Sequence, residues 1–423
     1  MTSSRLVRML ATAAGLALSG AALAGPLGVT AEERVPTLGG WGSAAFGINN
    51  AGQVVGWSAT TDDASVEAFL YSGGVMTRLP GIEGSFESRA NGINELGQVV
   101  GYAAIEVSFP WGVYPRSHAM LWNPDGSSLD LNEAMGSDYS EAWGINDHGM
   151  IVGDRNGTGF VWTPERGGER VQIDIFPNGR NRAANNAGVV VGHSYFLASP
   201  DDAHRAVYDA DRGRWMTDGI GPSLYSIGIA TDINEHGMIV GLANFDGDGP
   251  PRAAIFTGRT DAETPPGGGK ADDWFTDLGV PNRAFQSTEA NAVNNRGWIV
   301  GLAIPEDLSE PHAFLWTPRH GMLDLNDLLP EGSEFVLLAT ADDINDHGQI
   351  VGTALLEDGR PAGFILTVED TCRGDWNNDA ATTVDDLLGY LGAFRSGAGD
   401  MDGDGRSTVN DLLDFLGAFR TGC

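Results

Sequence analysis

The sequence predicts an all-β, seven-bladed β-propeller closed by its N-terminal strand, followed by a small α-helical domain with two calcium loops. Three observations carry this prediction: one ten-residue segment recurs seven times, strand-like runs follow each recurrence, and the motifs change abruptly after residue 369. The copies read GINNAGQVVG, GINELGQVVG, GINDHGMIVG, AANNAGVVVG, DINEHGMIVG, AVNNRGWIVG and DINDHGQIVG. Their Asn residues are Asn49, Asn94, Asn146, Asn185, Asn234, Asn294 and Asn345, 39 to 60 residues apart. Repetition of one supersecondary unit at this period marks a propeller or solenoid.

In the first copy, Ala45–Asn49 reads as a strand, Asn50-Ala51 as the tip of a turn and Gly52–Ser58 as a second strand. Asn suits the start of the turn because its side chain bonds the backbone two residues on, and the following Gly supplies the φ > 0 that closes a tight hairpin. The second Gly, at Gly56 and its equivalents, lies inside a strand, which calls for a close backbone approach or a bulge. The third strand is AFLYS, AMLWN, GFVWT, AVYDA, AAIFT, AFLWT or GFILT, nearly unbroken apolar runs as in a strand buried on both faces.

A fourth strand follows each of the first six copies: TRLPG, LDLNE, QIDIF, WMTDG, FTDLG and LDLND. The seventh copy has none, and Arg34–Leu38 ahead of the first copy resembles the missing one. That N-terminal strand is therefore expected to complete the last blade and close the ring, removing exposed edges. Seven blades over residues 34–369 average about 48 residues each. An open solenoid would need polar caps, and the termini show none.

Arg5 and Arg8 precede an apolar run from Met9 to Leu18 and the small-residue site Ala22-Leu23-Ala24, the layout of a secretory signal over residues 1–24. Residues 25–33 read as a linker. No later stretch approaches the roughly 20 apolar residues that cross a bilayer, so the expectation is an exported protein without direct membrane insertion. Loss of Arg5 and Arg8 takes the formal charge from −32 to about −34, and such a surface repels nucleic acid and anionic membrane.

The pattern A-x-x-I-N-x-x-G-x-V-V-G followed by H-A-F-L-W, seen at Ala341–Gly352 and His312–Trp316, resembles the HAF repeat of bacterial extracellular proteins. The resemblance covers nearly all of residues 34–369. It implies an extracellular propeller-like domain and supplies no chemistry.

Residues 370–423 are a different module. DWNNDAATTVDD at 375–386 and DMDGDGRSTVND at 400–411 repeat at an offset of 25. Both place oxygen-bearing side chains at loop positions 1, 3, 5, 9 and 12, the alternation by which a looping backbone wraps a hard cation wanting six to eight oxygens. The first loop offers Asp375, Asn377, Asp379, Thr383, Asp386 and the carbonyl of Ala381. The second offers Asp400, Asp402, Asp404, Thr408, Asp411 and the carbonyl of Arg406. Gly405 sits at the sharp turn where the first loop has Ala380, so the first site is expected to bind Ca2+ more weakly. Helices follow, with Val384, Leu387, Leu388, Leu391 and Phe394 on one face and Val409, Leu412, Leu413, Leu416 and Phe419 on the other helix's equivalent face. The chain's two cysteines, Cys372 and Cys423, bracket the module and read as a disulfide in an exported protein. The paired loops, the helices and the terminal Gly422-Cys423 resemble a dockerin of the GC type. The resemblance implies calcium-dependent docking onto a cohesin-like scaffold or surface receptor. It departs from cellulosomal dockerins at loop positions 10 and 11, which hold Val384-Asp385 and Val409-Asn410 in place of small hydroxyl residues.

Within the repeats no G-x-S-x-G, H-E-x-x-H or phosphate-cradling glycine loop occurs. His148, His236 and His347 share the turn slot, and His118, His204 and His312 precede the third strand, so repetition favours structural duty for them. His193 and His320 stand outside both slots. Trp122, Trp162, Trp316, Tyr71 and Phe256 recur on the third strand and read as core, whereas Trp41, Trp57, Trp111 and Trp143 remain ligand-contact candidates. Asn244–Gly249 resembles the start of a calcium loop but lacks the closing carboxylate. Three roles stay open: a secreted, surface-anchored propeller that binds a glycan or protein, which turn chemistry favours; a dockerin-borne polysaccharide hydrolase or lyase; and a structural spacer.

Overall fold

The computed structural model describes residues 27–61, 65–110, 112–170, 179–196, 199–220, 228–244, 249–256, 275–318, 320–370, 374, 382–396 and 408–421. Two compact units divide the chain, one spanning Val29–Glu369 and the other holding Asp370–Cys423 together with the residues up to Gly28.

The larger unit is mostly β and propeller-like. Its strands form sheets of four, the first six antiparallel meanders in chain order; two of these, built from residues 39–78 and 85–130, join through a single parallel pair at Val66 and Glu87. The first strands are Gly39–Ile48, Ser85–Ile93, Ser140–Ile145, Gly179–Ala184, Gly228–Ile233, Phe285–Val293 and Phe335–Ile344, and each runs into one of the repeated Asn residues. The last sheet lacks a fourth strand of its own from that end of the chain. Its outer strand is Leu27–Arg34, so the added strand lies ahead of the expected 34–38 and within the segment read as a linker. Val35, immediately after it, is fully buried with Ile48, Val54 and Phe69 of the first sheet and Val351 and Ile365 of the last. Equivalent apolar clusters span the following junctions between neighbouring sheets.

In every copy the Asn side chain accepts from the N–H four residues on and the Gly donates to the Asn carbonyl; five copies, those of Asn94, Asn146, Asn234, Asn294 and Asn345, add a bond from the N–H two residues on. Asn94 Oδ1 accepts from the backbone N–H of Leu96 (3.1 Å) and Gln98 (2.9 Å), while Gly97, at φ +74°, donates to the Asn94 carbonyl. The Asn Nδ2 does something the sequence did not announce: it donates to the carbonyl of the next copy's Asn. The chain of bonds runs Asn49 to Asn94, Asn146, Asn185, Asn234, Asn294 and Asn345 at 2.9–3.2 Å, and Asn345 returns to the Asn49 carbonyl at 3.0 Å. All seven Asn residues are buried.

Both readings of the second Gly hold. A Cβ on Gly56, Gly101, Gly153, Gly192, Gly241, Gly301 or Gly352 would collide with a carbonyl oxygen of the preceding strand, and that facing strand carries a bulge beside the contact, as between Ala45 and Gly47 or Ala290 and Ala292. Several expected fourth strands differ from the reading: Val75–Arg78 and Phe275–Asp277 end before TRLPG and FTDLG do, and the third sheet's is Gly167–Arg170, ahead of QIDIF, which lies outside the described residues. Two others stop at a helical turn. Ser128–Asp130 gives way to a helix, Leu131–Met135, because Asp130 accepts from Asn132 and Glu133 as its N-cap. Gly321–Asp324 gives way to a 3-10 turn, Leu325–Leu328, capped by Asp324.

In the smaller unit, helices Val384–Ser396 and Val409–Thr421 are present, and their packed faces match the expected ones in part: Phe394 and Phe419 pack beside Tyr390 and Phe415, and Leu387, Leu391 and Leu412 are half-buried. Tyr390 and Phe415 are fully buried and stacked, with ring centroids 4.0 Å apart. Val384, Leu388, Val409 and Leu413 are 60–66% exposed. The large flat rings lie one helical step from the aliphatic run and bury more apolar area than it would.

Candidate functional site

Within the repeat, two positions on the first strand differ between copies: three and five residues before the Asn. The side chains three before are Phe46, Asn91, Trp143, Arg182, Thr231, Asn291 and Asp342, and all line one cavity of about 410 Å³. Arg89, Glu141, Ile229 and Glu289, five before the Asn, line it as well, with Tyr102 beside them. Some of these groups are engaged in holding neighbouring sheets together. Asn91 donates to the Ala142 carbonyl (2.8 Å), Thr231 to Ala290 (2.7 Å) and Asn291 to Ala341 (2.9 Å). Phe46, Trp143, Arg182 and Asp342 make no such bond to the next sheet among the described residues.

Trp143 is fixed by donation from its indole Nε1 to the buried Asp154 carboxylate at 2.8 Å. The Arg182 guanidinium lies over this indole, 4.6 Å from the ring centroid. Its Nε is buried without a hydrogen-bond partner, and no described carboxylate forms an ion pair with it. Burial, reinforced by the neighbouring Arg180, pulls the Arg182 pKa down. Arg89 differs: its Nε meets Glu87 at 2.6 Å, and Tyr102 donates to the same carboxylate at 3.0 Å. Burial is also the main force raising the Tyr102 phenol above its ordinary range. Arg89 lies 5.7 Å from the Trp57 ring centroid, and Trp57 lies 5.7 Å from Trp41, which is 42% exposed. An aromatic and guanidinium track thus leads from solvent to the cavity.

Three carboxyls face this cavity. Burial, with Asp154 adding, raises Glu141; burial raises Glu289 against the pull of Arg182. Asp342 is pushed up to about 7, chiefly by burial and further by Glu289, against a 2.7 Å bond from Thr340. Its side chain keeps some access to the cavity while protein surrounds it. The arrangement can hold a polar ligand between a guanidinium and hydrogen-bonding carboxyls, and Asp342 can exchange a proton near neutrality.

At the turn end a second closed ring of bonds forms. The residues after the Asn are Asn50, Glu95, Asp147, Asn186, Glu235, Asn295 and Asp346, and each backbone N–H donates to the side chain of the next at 2.8–3.1 Å. They line a cavity of about 290 Å³ together with Asp232 and Asp343. Burial raises Asp232 to about 6 and Asp343 to about 7, although each accepts a 2.8 Å bond from the next sheet, from Val293 N–H and Ile48 N–H respectively. These acidic groups serve the backbone. Among the described residues, no group of His, Cys, Asp and Glu is arranged to hold a metal ion.

His118, His204 and His312 have the structural role that repetition suggested. His118 and His312 pair through Nδ1 with the helix-capping Asp130 and Asp324 at 2.7 Å, and His204 meets Asn181 at 3.1 Å. His148, His236 and His347 are exposed. His193 is buried, and desolvation lowers it to about 3. His320 bonds Thr317. Of the third-strand aromatics, Tyr71, Trp122, Trp162 and Phe256 are buried, and Trp316 packs against the same core. Among the four candidate tryptophans, Trp143 lines the cavity, Trp57 lies beside its Arg89 with Trp41 next to it, and Trp111 lies outside the described residues. Asn244 donates to the Gly249 carbonyl at 2.8 Å; residues 245–248 lie outside the described set.

Of the calcium-loop positions, Asp375, Asn377, Asp379, Ala381, Asp400, Asp402, Asp404 and Arg406 lie outside the described residues, as do Cys372 and Cys423. Thr383, Asp386, Thr408 and Asp411 are described. Asp386 accepts from Thr383 N–H (2.7 Å) and hydroxyl (3.1 Å), and Asp411 from Thr408 N–H (2.5 Å) and hydroxyl (2.9 Å). Both aspartates are fully buried.

Arg89, Glu141, Arg182, Glu289 and Asp342 were not singled out from the sequence. The signal for them was present: they occupy the positions where aligned copies disagree.

The family described as "Protein of unknown function (DUF3466)" matches residues 172–380. No curated protein matches the chain. Among solved structures, similarity is found to TolB from Acinetobacter baumannii (10% identity, 72% of this chain and 78% of that one, TM-score 0.38). It extends to dipeptidyl peptidase 4 from Porphyromonas gingivalis (9%, 79% and 60%, 0.35) and the PQQ-bound aldose sugar dehydrogenase from Streptomyces coelicolor (11%, 80% and 98%, 0.33). These scores are too low to carry fold details or function to this chain.

Proposed function

We propose that this is a secreted, surface-anchored glycan-binding protein. Seven blades closed by the N-terminal strand display a ligand cavity, and a calcium-dependent dockerin of the GC type attaches it to a cohesin-like receptor. The observation that carries the binding role is the cavity itself: side chains from all seven copies meet there, drawn from the positions where the copies differ. Its aromatic track and convergent polar groups suit a sugar chain better than a flat spacer surface. Closure is supported by the Asn345 to Asn49 bond and by Val35 packed between the first and last sheets.

For calcium, the donor set fits a hard cation. Asp386 and Asp411 bury their carboxylates against the ninth loop position in the same way, and the remaining ligands would be the oxygens of Asp375, Asn377, Asp379, Ala381 and Thr383 in one loop and of Asp400, Asp402, Asp404, Arg406 and Thr408 in the other. A Cys372–Cys423 disulfide would tie the module's ends, which is consistent with Gly374 packing on the backbone of Ala418 and Phe419.

The test incubates the full chain with soluble polysaccharides and follows polymer mass by size-exclusion chromatography with light scattering, with and without chelator. Co-elution with intact polymer supports binding. Loss of polymer mass would instead establish the second reading, a hydrolase or lyase, which the Asp342 proton and nearby Glu289 favour. Cohesin-type docking that survives chelation would overturn the calcium assignment.

A further inference from the structure

We infer that the cavity takes an acidic glycan, one whose sugar carries a carboxylate, and that Arg182 is its anchor. This rests on the glycan-binding reading and narrows it. A guanidinium withdrawn from water without a counter-charge is costly, and buried cations are ordinarily paired. Arg182 has a buried, unpartnered Nε and no ion pair with a described carboxylate, although Glu141, Glu289 and Asp342 line the same cavity. The Nε is closed off, so a ligand in the cavity meets this guanidinium at its terminal nitrogens and supplies an ion pair there.

The chemistry of that partner follows from the neighbours. Trp143 holds the guanidinium against its ring and is itself fixed by Asp154, so the fork of N–H donors is pre-oriented. A planar carboxylate matches such a fork with two parallel bonds. A phosphate monoester, near two negative charges at neutral pH, would face the surrounding carboxyls and be repelled. A single charge on an otherwise hydroxyl-rich ligand is compatible, since Glu141, Glu289 and Asp342 can accept from hydroxyls. A neutral sugar would leave the guanidinium without a contact ion pair, held only by the longer-range pull of Asp154, Glu289 and Glu141.

The experiment is isothermal titration of the full chain with uronate oligosaccharides (galacturonate, glucuronate and mannuronate series), each against its carboxyl-methylated ester. Sulfated galactan oligosaccharides of the same length form a third arm. The expected result is binding of an acidic oligosaccharide with a roughly 10- to 100-fold loss for its ester, the range of one charge-assisted bidentate contact. Arg182→Gln should show the same loss and no remaining preference between acid and ester. Arg182→Lys, which keeps charge but not the fork, should fall between; thermal melting of both variants confirms that they fold. Equal binding of acid and ester, or a preference that survives Arg182→Gln, would overturn the inference while leaving glycan binding intact. Tighter binding of the sulfated series would overturn the carboxylate assignment. Binding of none, neutral glycans included, would remove the glycan-binding reading as well.

Discussion

Asn146 offers the sharpest test of how the repeats are held together. Its Oδ1 accepts from the N–H groups of His148 and Met150, both at 3.0 Å, and its Nδ2 donates to the Asn185 carbonyl at 2.9 Å. Asn146→Ala removes all three bonds at a site only 5% exposed. At about 1 kcal/mol per bond, and more for each buried group left unpaired, the expected loss is about 3–5 kcal/mol. Asn146→Asp keeps the acceptor for the turn but sets an oxygen against the Asn185 carbonyl, so about 1.5–3 kcal/mol should go through the inter-sheet link alone. Equilibrium urea unfolding followed by tryptophan fluorescence reads both losses as shifts in midpoint at constant slope. Asn345→Asp repeats the experiment at the bond that returns to Asn49 and should cost as much. An Asn146→Asp variant within about 0.5 kcal/mol of the parent, at the edge of surface-mutation scatter, would refute a stabilising ring. A loss at Asn146 with none at Asn345 would refute closure.

Other perturbations follow from the same geometry. Gly301→Ala drives a Cβ into the Glu289 carbonyl, where backbone must move, and should cost more than about 3 kcal/mol, the upper end of ordinary point changes. Gly417→Ala meets nothing within 4 Å in an exposed helix and should instead add about 0.5–1 kcal/mol to the smaller unit; calorimetry of the two variants would show opposite shifts in Tm, and a like sign would be fatal to the packing account. For Asp343, burial raises the folded carboxyl to about 7, so the folded chain holds this proton more tightly than the unfolded one. Its stabilisation is complete below the ordinary carboxylate range and is lost as pH rises through about 7. Urea midpoints should therefore decline between about pH 4 and 7 less steeply in Asp343→Asn than in the parent, and identical slopes would exclude the assignment.

How much of this was legible depends on which residues carried the information. The Asn and both glycines were readable because each meets a local demand: an acceptor for the turn, a positive φ at Gly97, and no Cβ where Gly301 faces a carbonyl. The Nδ2 ring was not readable, since it joins residues up to 296 positions apart and local turn chemistry already explained the Asn. The outer strand Leu27–Arg34 was missed because an edge strand buries little, and its sequence LGVTAEER alternates too weakly to stand out. LDLNE misled because Asp130 caps a helix with the same carboxylate that holds His118. In the C-terminal helices the aliphatic stripe outnumbered the aromatics, yet the Tyr390–Phe415 stack decides which face is buried. The cavity residues illustrate a general point about repeats. Identity across copies reports what every sheet needs, so it points to architecture; a site built once, at the centre of seven copies, has to lie where the copies diverge. At the position three before the Asn, the two asparagines and the threonine that bond the next sheet still serve the architecture. Subtracting them leaves Phe46, Trp143, Arg182 and Asp342, and it is Arg182, stacked on Trp143 but without a contact ion pair, that a ligand has reason to complete.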